Sequence, residues 1–313
     1  MPHSAPSRLR VAAINFLNPA PLMWDFDHPP LASDLAARYQ VHSTQPSQCA
    51  VELLKGRADL GLIPIAALTP ELAIVPGCAI ASLDRVRSIQ LILKLRQPQA
   101  LGAPHLDFEM WDKRAADSAF IVRALAHVRT IASDTASRSS LAYAQILFRK
   151  FIGTAPQFLP APADPIDMLT HADAALLIGD PALVALESRA RIESAVGPCL
   201  WLDLAHEWHT RTKLPWVAAV WAVRPEALAA SAITPTQLTR DLQLSRDHGL
   251  ANIDQLVAEW TPRIAIPPET IRHYLTRNIH YTLSPACIAA IQIFRSHAAE
   301  ASLLPPLPTL RFL

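Results

Sequence analysis

Short apolar runs alternate with segments of helical spacing through most of the chain, and this alternation restricts the fold more than any other feature. Runs typical of buried strands cover residues 9–14, 58–63, 128–132 and 174–178, with helical patterns between them. Strands that alternate with helices form largely parallel sheets that are covered on both faces. The pattern therefore predicts a mixed α/β protein.

The strand-helix pattern occurs twice, and this faint repeat arises either from two similar lobes or by chance. The dipeptide Ala58-Asp59 opens a buried run in the first half, and Ala172-Asp173 opens one in the second. Two longer apolar runs, residues 88–93 and 216–223, lie where one unit gives way to the next. If both runs cross between the lobes, a cleft lies between them.

These crossings predict a discontinuous first lobe, made of residues 1–92 and 220–313, and a second lobe of residues 93–219. Residues 96–127 mix charges with aromatic side chains and are expected to be a surface insertion. Helices are expected to begin at Thr234-Pro235 and at Ser284-Pro285, because proline is favoured at the first helical position.

Composition argues against several classes of function. The chain has only eight glycines in 313 residues and contains neither G-x-G-x-x-G, the P-loop motif nor G-x-S-x-G. Its 28 Lys and Arg residues are balanced by 27 Asp and Glu residues, and no basic stripe is evident. We therefore expect no nucleotide cofactor and no nucleic-acid partner.

The sequence also lacks clear motifs for a membrane span, a signal peptide or a metal site. No apolar run has the length of a membrane span, of about 18 residues or more, and the first residues lack the apolar stretch of a signal peptide. The four cysteines form no C-x-x-C pair, and His206 and His209 are three residues apart rather than four as in H-E-x-x-H. We expect a cytoplasmic protein without a metal or a membrane partner, in which Trp208 is buried between these histidines.

A turn rich in hydroxyl groups lies between a strand and a helix at residues 133–140. Thr135, Ser137, Arg138, Ser139 and Ser140 combine hydroxyls, a guanidinium and the free N–H groups of a helix start. Such a turn is a candidate carboxylate site. The alternative interpretation is ordinary helix capping by Ser137 or Ser139.

Two further polar residues follow predicted strands. Asn18 precedes Pro19, so its amide either stabilises a turn or hydrogen-bonds a substrate. Asp180 precedes Pro181 and is either a helix cap or a carboxylate that faces the cleft. Because ligands bind beyond the carboxyl ends of strands in open α/β sheets, both residues are candidates for the site.

Several segments occur together in an order that resembles one known family. They are F-L-N-P-A-P-L at 16–22, G-R-A-D-L-G-L-I-P at 56–64, P-G-C-A-I-A-S at 76–82, V-R-S at 86–88, D-T-A-S-R-S-S at 134–140, L-L-I-G-D-P-A-L at 176–183 and L-P-W at 214–216. This order resembles the chorismate dehydratases of the futalosine route to menaquinone. The resemblance implies a two-lobed periplasmic-binding-protein-like type II fold with a central interlobe cleft. It also implies a carbon-oxygen lyase that needs no cofactor and removes water from chorismate to give 3-[(1-carboxyvinyl)oxy]benzoate.

The resemblance also implies roles for individual residues. Residues 135–140 would bind one carboxylate, and Ser88 would bind the other end of the substrate. Asn18 would contact the departing hydroxyl or the enolpyruvyl arm. The proton acceptor stays open between Asp180 and the side-chain carboxylate of the substrate itself. The chain departs from the family pattern at Ala136, where another serine is usual, and in the length of residues 96–127.

Two other functions fit the same fold. One is the naphthoate synthase of the same pathway, although the F-L-N-P segment fits the dehydratase better. The other is a solute-binding protein, which captures a ligand without chemistry. Incubation with chorismate separates them, because only the dehydratase removes one water from it.

Overall fold

Two β-sheets organise the residues that the computed structural model describes, namely 8–44, 46–95, 118–134, 138–307 and 309–313. The strands are β1 Leu9–Ile14, β2 Tyr39–Thr44, β3 Leu60–Pro64, β4 Ala73–Ser82, β5 Ile89–Lys94, β6 Thr130–Ser133, β7 Gln157–Pro160, β8 Ala174–Ile178, β9 Cys199–Asp203, β10 Trp216–Val223 and β11 His280–Thr282. Among the described residues, six strands form one sheet in the order β2-β1-β3-β10-β4-β11, and five form the other in the order β7-β6-β8-β5-β9. We call the first sheet with its helices lobe I and the second lobe II.

Helices cover the faces of both sheets. They are α1 Trp24–Asp27, α2 Ala32–Arg38, α3 Pro46–Leu54, α4 Ser118–Ala126, α5 Arg138–Ile146, α6 Pro165–His171, α7 Asp180–Glu187, α8 Arg189–Val196, α9 Leu204–Thr212, α10 Pro225–Ala230, α11 Pro235–Ala251, α12 Ile253–Trp260, α13 Pro268–His273 and α14 Pro285–Glu300. Every residue of β3 and β8 is buried, as expected for parallel strands covered on both sides. Within the described ranges, no helix is long and apolar enough to cross a membrane.

The two sheets share one arrangement. In lobe I the parallel strands β2, β1 and β3 are followed by the antiparallel β10. In lobe II the parallel strands β7, β6 and β8 are followed by the antiparallel β5. Along the chain, β5 of lobe II directly follows β4 of lobe I, and β10 of lobe I follows β9 of lobe II. The chain therefore crosses twice between the lobes, as the sequence predicts.

Both predicted lobe boundaries fall inside a strand. β5 pairs with β8 from Ile89 to Leu93, so the whole strand belongs to lobe II. β10 pairs with β4 from Trp216 to Val223, so it belongs wholly to lobe I. The ladder of hydrogen bonds continues along each strand, and therefore the chain changes lobe before residue 89 and before residue 216, rather than at 92/93 and 219/220.

The repeated Ala-Asp dipeptides occupy equivalent positions in the two lobes. The Asp59 carboxylate accepts the backbone N–H of Arg10 at the start of β1, over 3.0 Å. The Asp173 carboxylate accepts the backbone N–H of Thr130 at the start of β6, also over 3.0 Å. In each lobe the aspartate precedes the third parallel strand and holds the first one in register.

Two helices begin at the Thr-Pro and Ser-Pro pairs, as the sequence predicts. The hydroxyl of Thr234 accepts the backbone N–H of Gln237 at 3.1 Å, and Pro235 begins α11. Ser284 caps α14 in the same way through the N–H of Cys287 at 3.2 Å. The predicted insertion lies largely outside the described residues, because 96–117 are not among them; its last part, Ser118–Ala126, is α4.

Candidate active site

A small cavity of about 50 Å³ lies between the two lobes. It is bordered by the carboxyl ends of three parallel strands, at Ile14, Pro64 and Ile178, where ligands bind in open α/β sheets. The remaining lining residues come from the adjoining loops, from α5 and from β5, β10 and β4: Phe16, Asn18, Ile80, Ser88, Ile89, Ser140, Gly179, Trp216, Ala218 and Ala219. The cavity is therefore mostly apolar, with a few polar groups.

Asn18, a candidate site residue from the sequence, lies in the wall of this cavity. It follows β1 and stands just before the short helical turn Ala20–Met23. Its side-chain oxygen Oδ1 is buried and has no hydrogen-bond partner among the described residues. A buried polar atom without a partner costs free energy, so this oxygen is available to a ligand that brings a donor.

Ser88 also lies in the cavity wall, directly before β5, and is 3% exposed. Its Oγ accepts a hydrogen bond from the hydroxyl of Tyr274 over 2.8 Å. Burial raises the pKa of Tyr274 above its ordinary value, so the tyrosine keeps its proton and remains a donor. Because Ser88 accepts this bond, its own proton can be donated to a ligand.

The described residues of the hydroxyl-rich turn differ in their position and in their hydrogen-bond partners. Ser140 is 1% exposed and lines the cavity. Ser139 is fully buried, and its Oγ accepts the N–H of Ala66 and donates to the carbonyl of Ala218, each over 3.2 Å. Arg138 is exposed and is not part of the cavity wall.

Thus, of the predicted carboxylate-binding residues, Ser140 lies at the cavity and Ser139 joins α5 of lobe II to the backbone of lobe I. The expected contribution of Ser139 to ligand binding is at odds with this structure, because its donor is already used by the protein. Thr135 and Ser137 lie outside the described residues.

Asp180 begins α7 at the end of β8, next to the cavity but not in its wall. The preceding Gly179 has a φ of +71°, which brings the chain close to the ring of Phe16. A Cβ at this glycine would lie 3.0 Å from that ring, so a larger residue would strain the backbone and displace the ring. Burial raises the pKa of the Asp180 carboxyl to about 6, although the N–H of Leu17 that it accepts acts in the opposite direction.

Two residues of this region were not predicted as site residues. Tyr274 is 186 positions away from Ser88 in the sequence, and no local pattern links them. Trp216 belongs to the L-P-W segment, but a tryptophan at the start of an apolar strand is normally expected to be buried in the hydrophobic core. It is 2% exposed, lines the cavity, and its indole Nε1 has no hydrogen-bond partner among the described residues.

The histidine tract has a structural role. His206 Nδ1 lies 2.5 Å from the Asp84 carboxylate, and His209 Nδ1 lies 3.2 Å from the carbonyl of Leu214. Trp208 between them is buried on α9, as the sequence predicts. Among the described residues, no three His, Cys, Asp or Glu side chains are grouped so as to hold a metal ion.

A larger cavity of about 600 Å³ lies beside β9 and α9. Several of its charged side chains are engaged in ion pairs, including Arg211 with Glu207 at 2.5 Å and Arg189 with Glu193 at 3.0 Å. The cavity between the lobes, with unpartnered polar atoms at the strand ends, is the better candidate for a site.

Solved structures define the class of fold. The chain is similar to the Candida albicans CA3427 gene product, which has the generic periplasmic binding protein fold, with a TM-score of 0.63, 12% identity and coverage of 96% of this chain and 92% of that one. It is also similar to the alkanesulfonate-binding protein SsuA from Xanthomonas axonopodis pv. citri, with a TM-score of 0.61, 16% identity and coverage of 96% of both chains. The protein therefore has a two-lobed periplasmic-binding-protein-like fold, as predicted.

Sequence comparison then gives the family. The family model described as menaquinone biosynthesis matches residues 9–300. A chorismate dehydratase from Thermus thermophilus is 30% identical over 193 residues, which are 59% of this chain and 67% of that protein. The chain belongs to the menaquinone biosynthesis family, and it is an enzyme of that biosynthesis.

Proposed function

We propose that this protein is a chorismate dehydratase of the futalosine route, a hydro-lyase that acts in the cytoplasm on a small molecule. Its family and the Thermus thermophilus relative support this activity. The observation that carries the proposal is the interlobe cavity, which both Asn18 and Ser88 line. Chorismate offers a ring hydroxyl and two carboxylates to these groups.

The reaction removes the proton from ring carbon 3 and the hydroxyl from carbon 4. The electron pair of the C3–H bond first spreads through the diene to the ring carboxylate. It then forms the aromatic ring as the C4–O bond breaks. The hydroxyl leaves with a proton as water, so the product is 3-[(1-carboxyvinyl)oxy]benzoate and no electrons are gained or lost.

Neutral donors would hold the substrate dianion. The described wall of the cavity contains the hydroxyls of Ser88 and Ser140 but no lysine or arginine. Hydrogen bonds to an ionised carboxylate are stronger than those between neutral groups. Fixed donors in a closed cavity also stabilise charge on the ring carboxylate as the proton leaves. The start of α5 would be the carboxylate end of the site.

The side-chain carboxylate of the substrate is the better candidate for the proton acceptor. The described wall has no Asp, Glu, His or Lys, and Asp180 stands behind it with its carboxylate bound to the N–H of Leu17. The enolpyruvyl carboxylate is attached through the ether oxygen on carbon 3, and so it is close to the proton that must be removed. Asn18 would then hold the departing hydroxyl.

Substrate entry requires the lobes to move apart. A cavity of about 50 Å³ is far smaller than typical ligand sites of roughly 300–1,000 Å³. Opening of two lobes about a hinge is a common response to ligands in this type of architecture. The cavity described here corresponds to a closed form, in which water is excluded from the reacting groups.

Mass spectrometry after incubation with chorismate tests this proposal. Conversion to a compound that is lighter by one water supports the dehydratase. Tight binding of chorismate without conversion would favour a solute-binding protein, which the fold also allows. Neither binding nor conversion would point to another step of menaquinone biosynthesis, such as the naphthoate synthase reaction.

A further inference from the structure

The indole of Trp216 is a buried donor without an acceptor. Trp216 begins β10, is 2% exposed, and its Nε1 lacks a hydrogen-bond partner among the described residues. Two other indoles have partners: Trp208 Nε1 donates to the carbonyl of Pro215 at 3.0 Å, and Trp201 Nε1 donates to Glu193 at 2.8 Å. The indole of Trp221 also lacks a partner among the described residues, but Trp221 does not line the cavity. The indole N–H can only donate, so it needs an acceptor from elsewhere.

The same cavity wall contains an unpartnered acceptor. Both Trp216 and Asn18 line the interlobe cavity, and the Asn18 Oδ1 also lacks a partner. Isoleucines from four strands form much of the remaining wall. One donor and one acceptor without partners in an apolar cavity fit a ligand that carries both a hydroxyl and a strong acceptor.

We propose that the indole N–H of Trp216 donates a hydrogen bond to a carboxylate of the bound substrate. The chemical identity of that substrate rests on the proposed function. Carboxylate oxygens are the strongest acceptors on chorismate and on its product. Since the described cavity wall has no cationic side chain, each neutral donor has a large share in holding the dianion.

Trp216→Phe tests this contact, because it keeps an aromatic ring and removes the N–H. Trp221→Phe is the matched control: Trp221 lies on the same strand, is fully buried and has an unpartnered Nε1, but it does not line the cavity. The probe is the product, 3-[(1-carboxyvinyl)oxy]benzoate, which has both carboxylates and no ring hydroxyl. We expect Trp216→Phe to weaken its binding by about tenfold or more, and Trp221→Phe to leave it unchanged.

A second measurement follows the indole N–H itself. In protein with ¹⁵N-labelled indoles, the Trp216 N–H resonance is assigned by its absence from the spectrum of Trp216→Phe. Addition of the product should move this resonance downfield, as expected for a new hydrogen bond to an anion.

The outcomes separate the two proposals. If the wild type dehydrates chorismate but the Trp216 resonance does not move and Trp216→Phe binds product like Trp221→Phe, the Trp216 contact is wrong and the proposed function stands. If the wild type neither converts chorismate nor binds the product, both are overturned. Weaker binding in Trp216→Phe alone, with a shifted resonance, supports both.

Discussion

The carboxylate of Asp180 in lobe II accepts a hydrogen bond from the backbone N–H of Leu17 in lobe I, with 3.2 Å between Oδ1 and the nitrogen. Leu17 is fully buried and immediately precedes Asn18 in the cavity wall. The bond therefore joins the start of α7 to the chain beside the proposed reacting groups. Because Leu17 and Asp180 belong to different lobes, the bond stabilises the contact between them.

Asp180→Asn should change how stability depends on pH. Burial raises the pKa of the folded carboxyl from its ordinary 3.8 to about 6. The stability that the carboxyl contributes is thus fully present below about pH 4 and is lost as the pH rises through about 6. Such a difference in pKa corresponds to at most on the order of 3 kcal/mol. Asparagine keeps an acceptor for Leu17 but does not ionise.

The measurement is thermal unfolding of wild type and Asp180→Asn between about pH 4 and pH 7. The variant should gain stability relative to wild type as the pH rises through this range. A difference between the two proteins that stays constant over the range would show that the Asp180 carboxyl titrates normally in the fold.

The same variant separates the two candidate proton acceptors. If the substrate carboxylate removes the proton, Asp180→Asn should retain kcat for chorismate within about threefold, because Asp180 does not line the cavity. A loss of kcat of about a hundredfold or more, typical for removal of a general base, would assign the role to Asp180. Steady-state kinetics at saturating chorismate decides between them.

Ser139→Ala should destabilise the protein by about 1–3 kcal/mol. Ser139 is fully buried, and the change removes its hydrogen bonds to the N–H of Ala66 and the carbonyl of Ala218. Chemical denaturation measures the loss. Arg138→Ala is the control, because Arg138 is exposed on the same helix start and should change stability by less than about 0.5 kcal/mol. Equal stability of the two variants would mean that the hydrogen bonds of Ser139 do not stabilise the contact between the lobes.

Tyr274→Phe should lower kcat/KM by about three- to tenfold. Its hydroxyl donates to Ser88 Oγ and so fixes the direction in which Ser88 can donate its own proton. Tyr281→Phe is the matched control, since the hydroxyl of Tyr281 is buried without a partner among the described residues. We expect that control to retain full activity. Identical kinetics in both variants would show that the hydroxyl of Tyr274 has no role in the reaction.

Much of the fold could be predicted because local patterns encode it. β8 and β10 are continuous apolar runs, and the caps of α11 and α14 are serine or threonine followed by proline. β4 escaped prediction because Pro76 and Gly77 interrupt it, and such residues usually argue against a strand. The lobe boundaries were displaced for a different reason: only pairing between strands shows which sheet a strand joins.

Some residues that line the candidate cavity could be selected from the sequence because they lie near strand ends, whereas others depend on distant contacts that sequence patterns do not show. Asn18, Ser88 and Ser140 all line the cavity. Ser139 and Ser140 are neighbours of the same type, yet one faces backbone groups of lobe I and the other the cavity. Sequence patterns cannot distinguish such neighbours, because the difference arises from how the second lobe packs on the first.

The central claim is tested most directly by following chorismate with the purified protein by proton NMR in the presence of a metal chelator. We expect the signals of the C3 and C4 protons of the ring to disappear while aromatic signals of 3-[(1-carboxyvinyl)oxy]benzoate grow at the same rate. Asn18→Ala should slow this conversion, whereas a change of the exposed Asn15 to alanine should not. Unchanged chorismate with correctly folded protein, or conversion only after zinc or another metal is restored, would contradict this claim.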